Sequence, residues 1–230
     1  MKKIVFSTGA GVSAESGITT FRDAGGLWER YPVMQVASAE GFAADPELVH
    51  KFYNERRHQL IEAQPNAAHR LIADLQKDFD VRVITQNVDD LHERAGSRNV
   101  LHLHGELMKL RSVSNPDYTE TLTPDNLDST PQTRGRNGDL MRPHIVFFNE
   151  PVPAISDAMR LAQEADIFVV IGTSLNVYPA AGLISCVRPG TPIYYIDPNP
   201  AATPANLNVQ VLKTTATDGM RQLAEILRGK

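Results

Sequence analysis

A chain of 230 residues, 42% hydrophobic and 22% charged, has apolar mass for one large domain with an appended lobe, so no disulfide or metal is needed for folding. A net charge of −4 argues against the basic surface on which nucleic acid and anionic membranes depend. The single cysteine, Cys186, excludes an internal disulfide and fits a reducing compartment; the apolar run after Lys2-Lys3 is cut short at Gly9 and Gly11, and none approaches the roughly 20 residues of a membrane span, so the expectation is a cytoplasmic protein with no membrane or nucleic-acid partner.

Lys3 to Ser7 reads as a buried strand. It runs into Gly9-Ala10-Gly11-Val12-Ser13-Ala14, the G-x-G-x-x-A turn of dinucleotide-binding folds. In that reading Gly9 makes the tight turn, Gly11 lets the backbone approach a pyrophosphate, and Ala14 permits close helix packing at an N-terminus rich in N–H donors. A glycine turn with no ligand is the competing reading. No acidic ribose-binding residue follows about 20 positions on, which argues against an ordinary dehydrogenase. Residues 22–65 are too long for one crossover helix, and Phe52 to Arg57 within them has helical character. Ala68, Leu71, Ile72, Leu75 and Phe79 then fall at helical spacing.

Val81 to Thr85 predicts a second strand, followed by Gln86-Asn87-Val88-Asp89. Polar residues at a strand's carboxyl end meet ligands in open α/β sheets; helix capping is the plainer alternative for any one of them. His102 and His104 flank Leu103, so in an extended segment they share a side. Gly105 would let a bulky ligand pass His104, whose imidazole suits general-base work near neutral pH. Residues 107–142 are polar and rich in Thr, Asn, Asp, Pro and Gly, a long irregular stretch of the functional or poorly ordered kind. Asp166 to Ile171, Ile193 to Ile196 and Val209 to Leu212 complete the strands, and Met220, Leu223, Ala224 and Leu227 mark a last helix. Gly172-Thr173-Ser174 and Asp197-Pro198-Asn199 again place small and polar residues after strands. The pattern predicts an α/β, Rossmann-like doubly wound parallel sheet spanning residues 1–22, 66–106 and 143–230. The insertions 23–65 and 107–142 would form a smaller lobe.

Taken in order, these segments resemble the sirtuins over nearly the whole chain. Gly9-Ala10-Gly11-Val12-Ser13 with Gly17 to Arg22, Thr85 to Asp89, His104-Gly105, Arg142 to Glu150 and Gly172 to Val177 carry the likeness. The resemblance implies an NAD-consuming lysine deacylase. An acyl-lysine oxygen attacks C1′ of the nicotinamide ribose, nicotinamide leaves, and the acyl group ends on ADP-ribose. It implies His104 and Asn87 as catalytic residues. Gln86, Asn87 and Asp89 would hold ribose and nicotinamide, with Gly9, Ala10, Gly11, Ser13, Phe21 and Arg22 nearby. Gly172, Thr173, Ser174, Asp197, Asn199 and Ala216 would line the adenosine half, Asp197 standing where the family usually has Asn. Val146, Phe148, Asn176 and Val177 would sandwich the substrate as a strand.

Ala37, Tyr53 and Arg56 resemble the subclass that removes malonyl, succinyl or glutaryl groups. Tyr53 and Arg56 are three apart, so a helix puts them on one face, though a solvated Tyr-x-x-Arg is the usual alternative. Two departures stand out. Most sirtuins hold a structural zinc with two Cys-x-x-Cys pairs, but Ser112, Asn115, Arg134 and Asn137 occupy the corresponding positions, so no zinc is expected. Asn149 replaces the family's usual Gly. ADP-ribosyl transfer, NAD hydrolysis and non-enzymatic NAD sensing are the rival functions.

Overall fold

A computed structural model of the chain describes residues 1–18 and 31–229. Six parallel strands, β1 (Lys3–Thr8), β2 (Asp80–Thr85), β3 (Val100–His102), β7 (Ile167–Ile171), β8 (Ile193–Ile196) and β9 (Val209–Leu212), lie in the order β3-β2-β1-β7-β8-β9. Alternate residues of each strand enter different cores, as a period-two backbone requires. Ile4, Phe6, Val83, Val169 and Ile196 pack with Ile72, Met220 and Leu223 of the helices Ala67–Asp74 and Ala216–Arg228. Val5, Ile84, Phe168, Val170 and Tyr195 pack on the other face, with Ala158 and Ala162 of the helix Ile155–Glu164 and with the 3₁₀ turn Ala180–Cys186. All five residues of β7 are buried, which explains its lack of polar alternation. Chain order reverses between β1 and β7, so their carboxyl ends open a crevice there.

The helix Ala67–Asp74 begins with a capping box. The Asn66 side chain accepts from the N–H groups of Ala68 (2.9 Å) and His69 (3.4 Å), and His69 Nδ1 accepts from the Asn66 N–H at 3.3 Å.

The smaller lobe combines the helices Val33–Val36, Ala39–Ala44 and Pro46–Glu62 with an antiparallel sheet ordered β5-β4-β6, formed by β4 (Gly105–Ser112), β5 (Thr119–Thr121) and β6 (Met141–Ile145). Its core joins Val36, Phe52, Tyr53, Leu60, Leu107, Ile145 and Phe147. Arg57, fully buried, ties the long helix to the sheet by donating to the carbonyls of Leu107 (2.9 Å) and Leu127 (3.2 Å). This sheet corrects the irregular reading of residues 107–142. In β4 the inward Leu107 and Leu110 are three residues apart, because the register against β6 shifts between Gly105 and Leu110, and this break hides the period-two pattern from the sequence. Among the described residues no helix is long and apolar enough to cross a membrane.

Candidate active site

Four strand ends are stitched together by backbone. The Gly9 N–H donates to the Ile171 carbonyl (3.0 Å), Gly11 to Gly172 (2.9 Å), Gln86 to Thr8 (2.9 Å) and Gly172 to Ile196 (3.0 Å). A Cβ on Gly11 would sit 2.6 Å from Gly172 Cα, and one on Gly172, at φ +61°, only 2.4 Å from the Val12 nitrogen. Contact between the two turns therefore demands these glycines on packing grounds alone, whatever approaches Gly11 from the cavity side. Gly105 is explained the same way: its φ is +87°, and a Cβ would meet the His144 carbonyl at 2.0 Å, inside the β4–β6 contact.

Above this floor lies a cavity of about 530 Å³. It gathers the expected base His104 together with Gly9, Ala10, Gly11, Gln86, Asn87, Gly172, Thr173, Ser174, Asp197, Asn199 and Ala216 from the expected cofactor set. Ala37, Tyr53, Arg56, Val146, Phe148 and Val177 join them from the expected substrate set. Ser13 and Asp89 instead line a small recess behind it, which shares Ala10, Arg56 and Asn87 with the cavity. Asn176 is not on the cavity wall. Phe21 and Arg22 lie outside the described residues.

The two histidines differ in a way their spacing does not show. His104 Nδ1 lies 3.0 Å from the Gln86 carbonyl, which only accepts, so Nδ1 carries the proton and Nε2 the lone pair. Burial lowers its pKa, against the opposing pull of the Gln86 bond, and keeps the ring neutral. His102 Nδ1 meets the Asn87 carbonyl at 3.0 Å and its Nε2 meets Glu93 at 2.8 Å. Both partners accept, so both nitrogens donate. Burial opposes that charge, but Glu93 outweighs it and raises the pKa. Both rings thus hold the loop after β2, and His104 alone of the two faces the cavity.

Asn87 Nδ2 donates to Ser13 Oγ at 3.2 Å, and Ser13 donates to Asp89 at 3.0 Å. Burial raises the Asp89 pKa, against the Leu91 N–H and the Ser13 hydroxyl. At the far wall Glu150 accepts from the Phe147 N–H (2.8 Å), Arg142 (2.8 and 3.0 Å) and Arg111 (3.1 Å). Burial alone would raise its pKa, but Arg142 and the Phe147 N–H lower it. Asn149 has φ +71°, a left-handed conformation that glycine and asparagine tolerate best, which rationalises both residues at this position. The Phe148 N–H donates to the Ala37 carbonyl at 2.7 Å, joining this wall to the helical insertion.

Sequence reasoning missed Glu15 and Thr215 in the cavity wall. The Glu15 carboxylate accepts from the Thr217 N–H (2.9 Å) and the Thr215 hydroxyl (3.3 Å), about as far apart in the chain as its two ends, and no local pattern signals that pairing. Where the family's zinc cysteines would stand, Ser112, Asn115 and Asn137 offer a hydroxyl and amides, and the Arg134 guanidinium donates to the Gly138 carbonyl at 2.7 Å. Ser112 Oγ donates to Asp139 at 2.6 Å and accepts from the N–H groups of Ser114 (3.2 Å) and Asn115 (3.0 Å), while Asn137 donates to Asp139 at 2.8 Å. This donor set does not fit tetrahedral zinc, which takes thiolate or imidazole.

A doubly wound sheet, a backbone floor at its switch point and a neutral histidine beside an amide-rich pocket define the Sir2 class, and this chain belongs to the Sir2 family, whose model matches residues 9–179. An NAD-dependent protein deacylase of Bacteroides thetaiotaomicron is 53% identical over 230 residues, covering 99% of this chain and 98% of that protein. A Sir2 homologue solved as an NAD complex superposes with a TM-score of 0.87 at 40% identity, covering 99% of this chain and 90% of the other. A mutant Sir2 homologue in complex with 2′-O-acetyl ADP ribose gives the same TM-score and identity, covering 99% and 92%.

Proposed function

We propose that this protein is an NAD-dependent lysine deacylase that acts on acylated lysines of proteins, accepts acetyl groups and prefers succinyl or malonyl groups. The observation that carries the reading is one cavity holding both His104 and the Tyr53–Arg56 pair. An extended dinucleotide suits its chemistry. Ser174, Asp197 and Asn199 offer polar groups at one end, Gln86 and Asn87 at the other, and the volume is typical of small-molecule sites. When bound, NAD supplies the electrophilic ribose carbon and is consumed to nicotinamide and O-acyl-ADP-ribose. His104 Nε2 takes a proton from a ribose hydroxyl, while the Gln86 carbonyl stabilises the imidazolium through Nδ1–H. Asn87 and Asp89 orient the ribose and nicotinamide halves. Val146, Phe148, Asn176 and Val177 position the substrate backbone. The larger lobe, 1–22, 66–106 and 143–230, would bind the nucleotide, and the smaller, 23–65 and 107–142, would supply acyl recognition without zinc.

Tyr53 and Arg56 are 4% and 7% exposed on the Pro46–Glu62 helix. Burial raises the Tyr53 pKa, against the nearby Arg56, so the phenol stays a donor. Burial pulls the Arg56 pKa down, but guanidinium starts so high that it remains a cation for a carboxylate. The test is NAD-dependent turnover on acetyl-, malonyl-, succinyl- and fatty-acyl-lysine peptides, with products identified by mass spectrometry. Nicotinamide and acyl-ADP-ribose are expected, with His104→Ala inactive. ADP-ribosylated protein or free ADP-ribose as the main product would overturn the reading.

A further inference from the structure

We infer that His69, outside the cavity lining, is a positioning residue for the nicotinamide-binding groups, acting through Ser13 on Asp89 and Asn87. The inference rests on the functional reading above. His69 is fully buried, and its two ring nitrogens have separate tasks. Nδ1 accepts the Asn66 N–H that opens the helix Ala67–Asp74, at 3.3 Å, so in the neutral ring Nε2 carries the proton. Nε2 faces Ser13 Oγ at 3.4 Å, the longest link in the chain. Burial, aided by Arg70 and opposed by Glu93, lowers the His69 pKa to about 4 and keeps this tautomer neutral.

The consequence is directional. With two incoming protons, from His69 and from Asn87 Nδ2, the Ser13 oxygen has both lone pairs engaged, and its own proton goes to Asp89 Oδ2. Asp89 Oδ1 in turn accepts the Leu91 N–H at 3.2 Å. The Asp89 carboxylate is thereby fixed as an acceptor at the rim of the recess, and the Asn87 amide is turned with its oxygen away from Ser13. His69 also packs edge-on against His92, ring centroids 4.8 Å apart. His92 Nε2 meets Thr8 Oγ1 at 3.0 Å, so the imidazole pair is anchored to the strand below the site.

The two tasks can be separated. His69→Asn keeps an acceptor near Nδ1 and removes the group facing Ser13. His69→Gln keeps a donor near Nε2 and removes the cap. Because nicotinamide is released before the final product, it inhibits by rebinding its own pocket, and its inhibition constant reads that pocket. His69→Asn should raise this constant about fivefold, the weight of one buried hydrogen bond, with a loss of Tm no larger than that of His69→Gln. His69→Gln should lower Tm and leave the constant within about twofold. A constant that rises equally in both variants, or that follows the loss of Tm, overturns the positioning role. Parent protein that turns over without releasing nicotinamide overturns the functional reading itself, and the role of His69 with it.

Discussion

Replacing Arg56 by Met should change which acyl group is removed rather than whether any is. Met preserves most of the stem that packs near Phe52, where the guanidinium carbon lies 5.8 Å from the ring centroid, and deletes the charge. Arg56 is 7% exposed, so a succinyl carboxylate reaching it leaves water almost completely. Charge-assisted bonds of this kind contribute about 1.5–3 kcal/mol, or roughly ten- to a hundredfold in kcat/KM. An acetyl group makes no such bond, so its kcat/KM should move by less than about threefold. Tyr53→Phe removes a single neutral donor and should cost succinyl turnover only about five- to tenfold. The assay measures both peptides at saturating NAD, with circular dichroism to confirm folding. Equal losses on succinyl and acetyl peptides would refute acyl selection by this residue.

The remaining predictions concern protons, packing and metal. Because burial depresses the His104 pKa, kcat/KM for NAD should hold to about pH 6.5 and fall only below it; an acid limb centred above pH 7 would exclude His104 as the base. His50 and His69 are both lowered to about 4, mainly by burial, and regain about 6.5 when unfolded. The unfolded chain therefore binds more protons between these values, and each site should make stability fall by up to about 1.4 kcal/mol per unit as pH drops through that window, with no slope from them above it. Urea titrations at several pH values check the sign. Gly172→Ala combines φ +61° with a 2.4 Å approach to Val12 and should destabilise by about 2–5 kcal/mol, measured by thermal unfolding. Elemental analysis of purified protein should find no stoichiometric zinc, and Ser112→Ala, which removes a buried hydroxyl with three partners, should cost about 1–3 kcal/mol.

The parallel sheet was legible because buried strands without polar alternation, such as Ile167–Ile171, leave few other readings. The polar clusters after β1, β2, β7 and β8 were legible because strand ends in this architecture share one edge. The antiparallel sheet was not: β5 has three residues, and β6 contains Pro143, which reads against a strand. The packing demand on Gly11 and Gly105 was not legible, since a backbone neighbour and a ligand demand glycine alike. His69 lay beyond reach for a different reason. Its partner Ser13 is 56 residues away, and an isolated histidine on a helical pattern carries no signature of where its second nitrogen points.

The bond from Phe148 to Ala37 has a mechanical consequence. Ser38 and Phe148 also form a parallel bridge, and Phe147 packs its ring against Phe42 and Tyr53 at centroid distances of 5.9 and 6.2 Å. The segment proposed to flank an incoming polypeptide and the helix that carries Tyr53 and Arg56 are therefore joined into one packed unit. On the proposed reading, a substitution that displaces this unit would alter backbone capture and acyl discrimination together. Val177 and Tyr178 line the same cavity but take no part in these contacts, so substitutions there would test backbone capture without moving Tyr53 and Arg56.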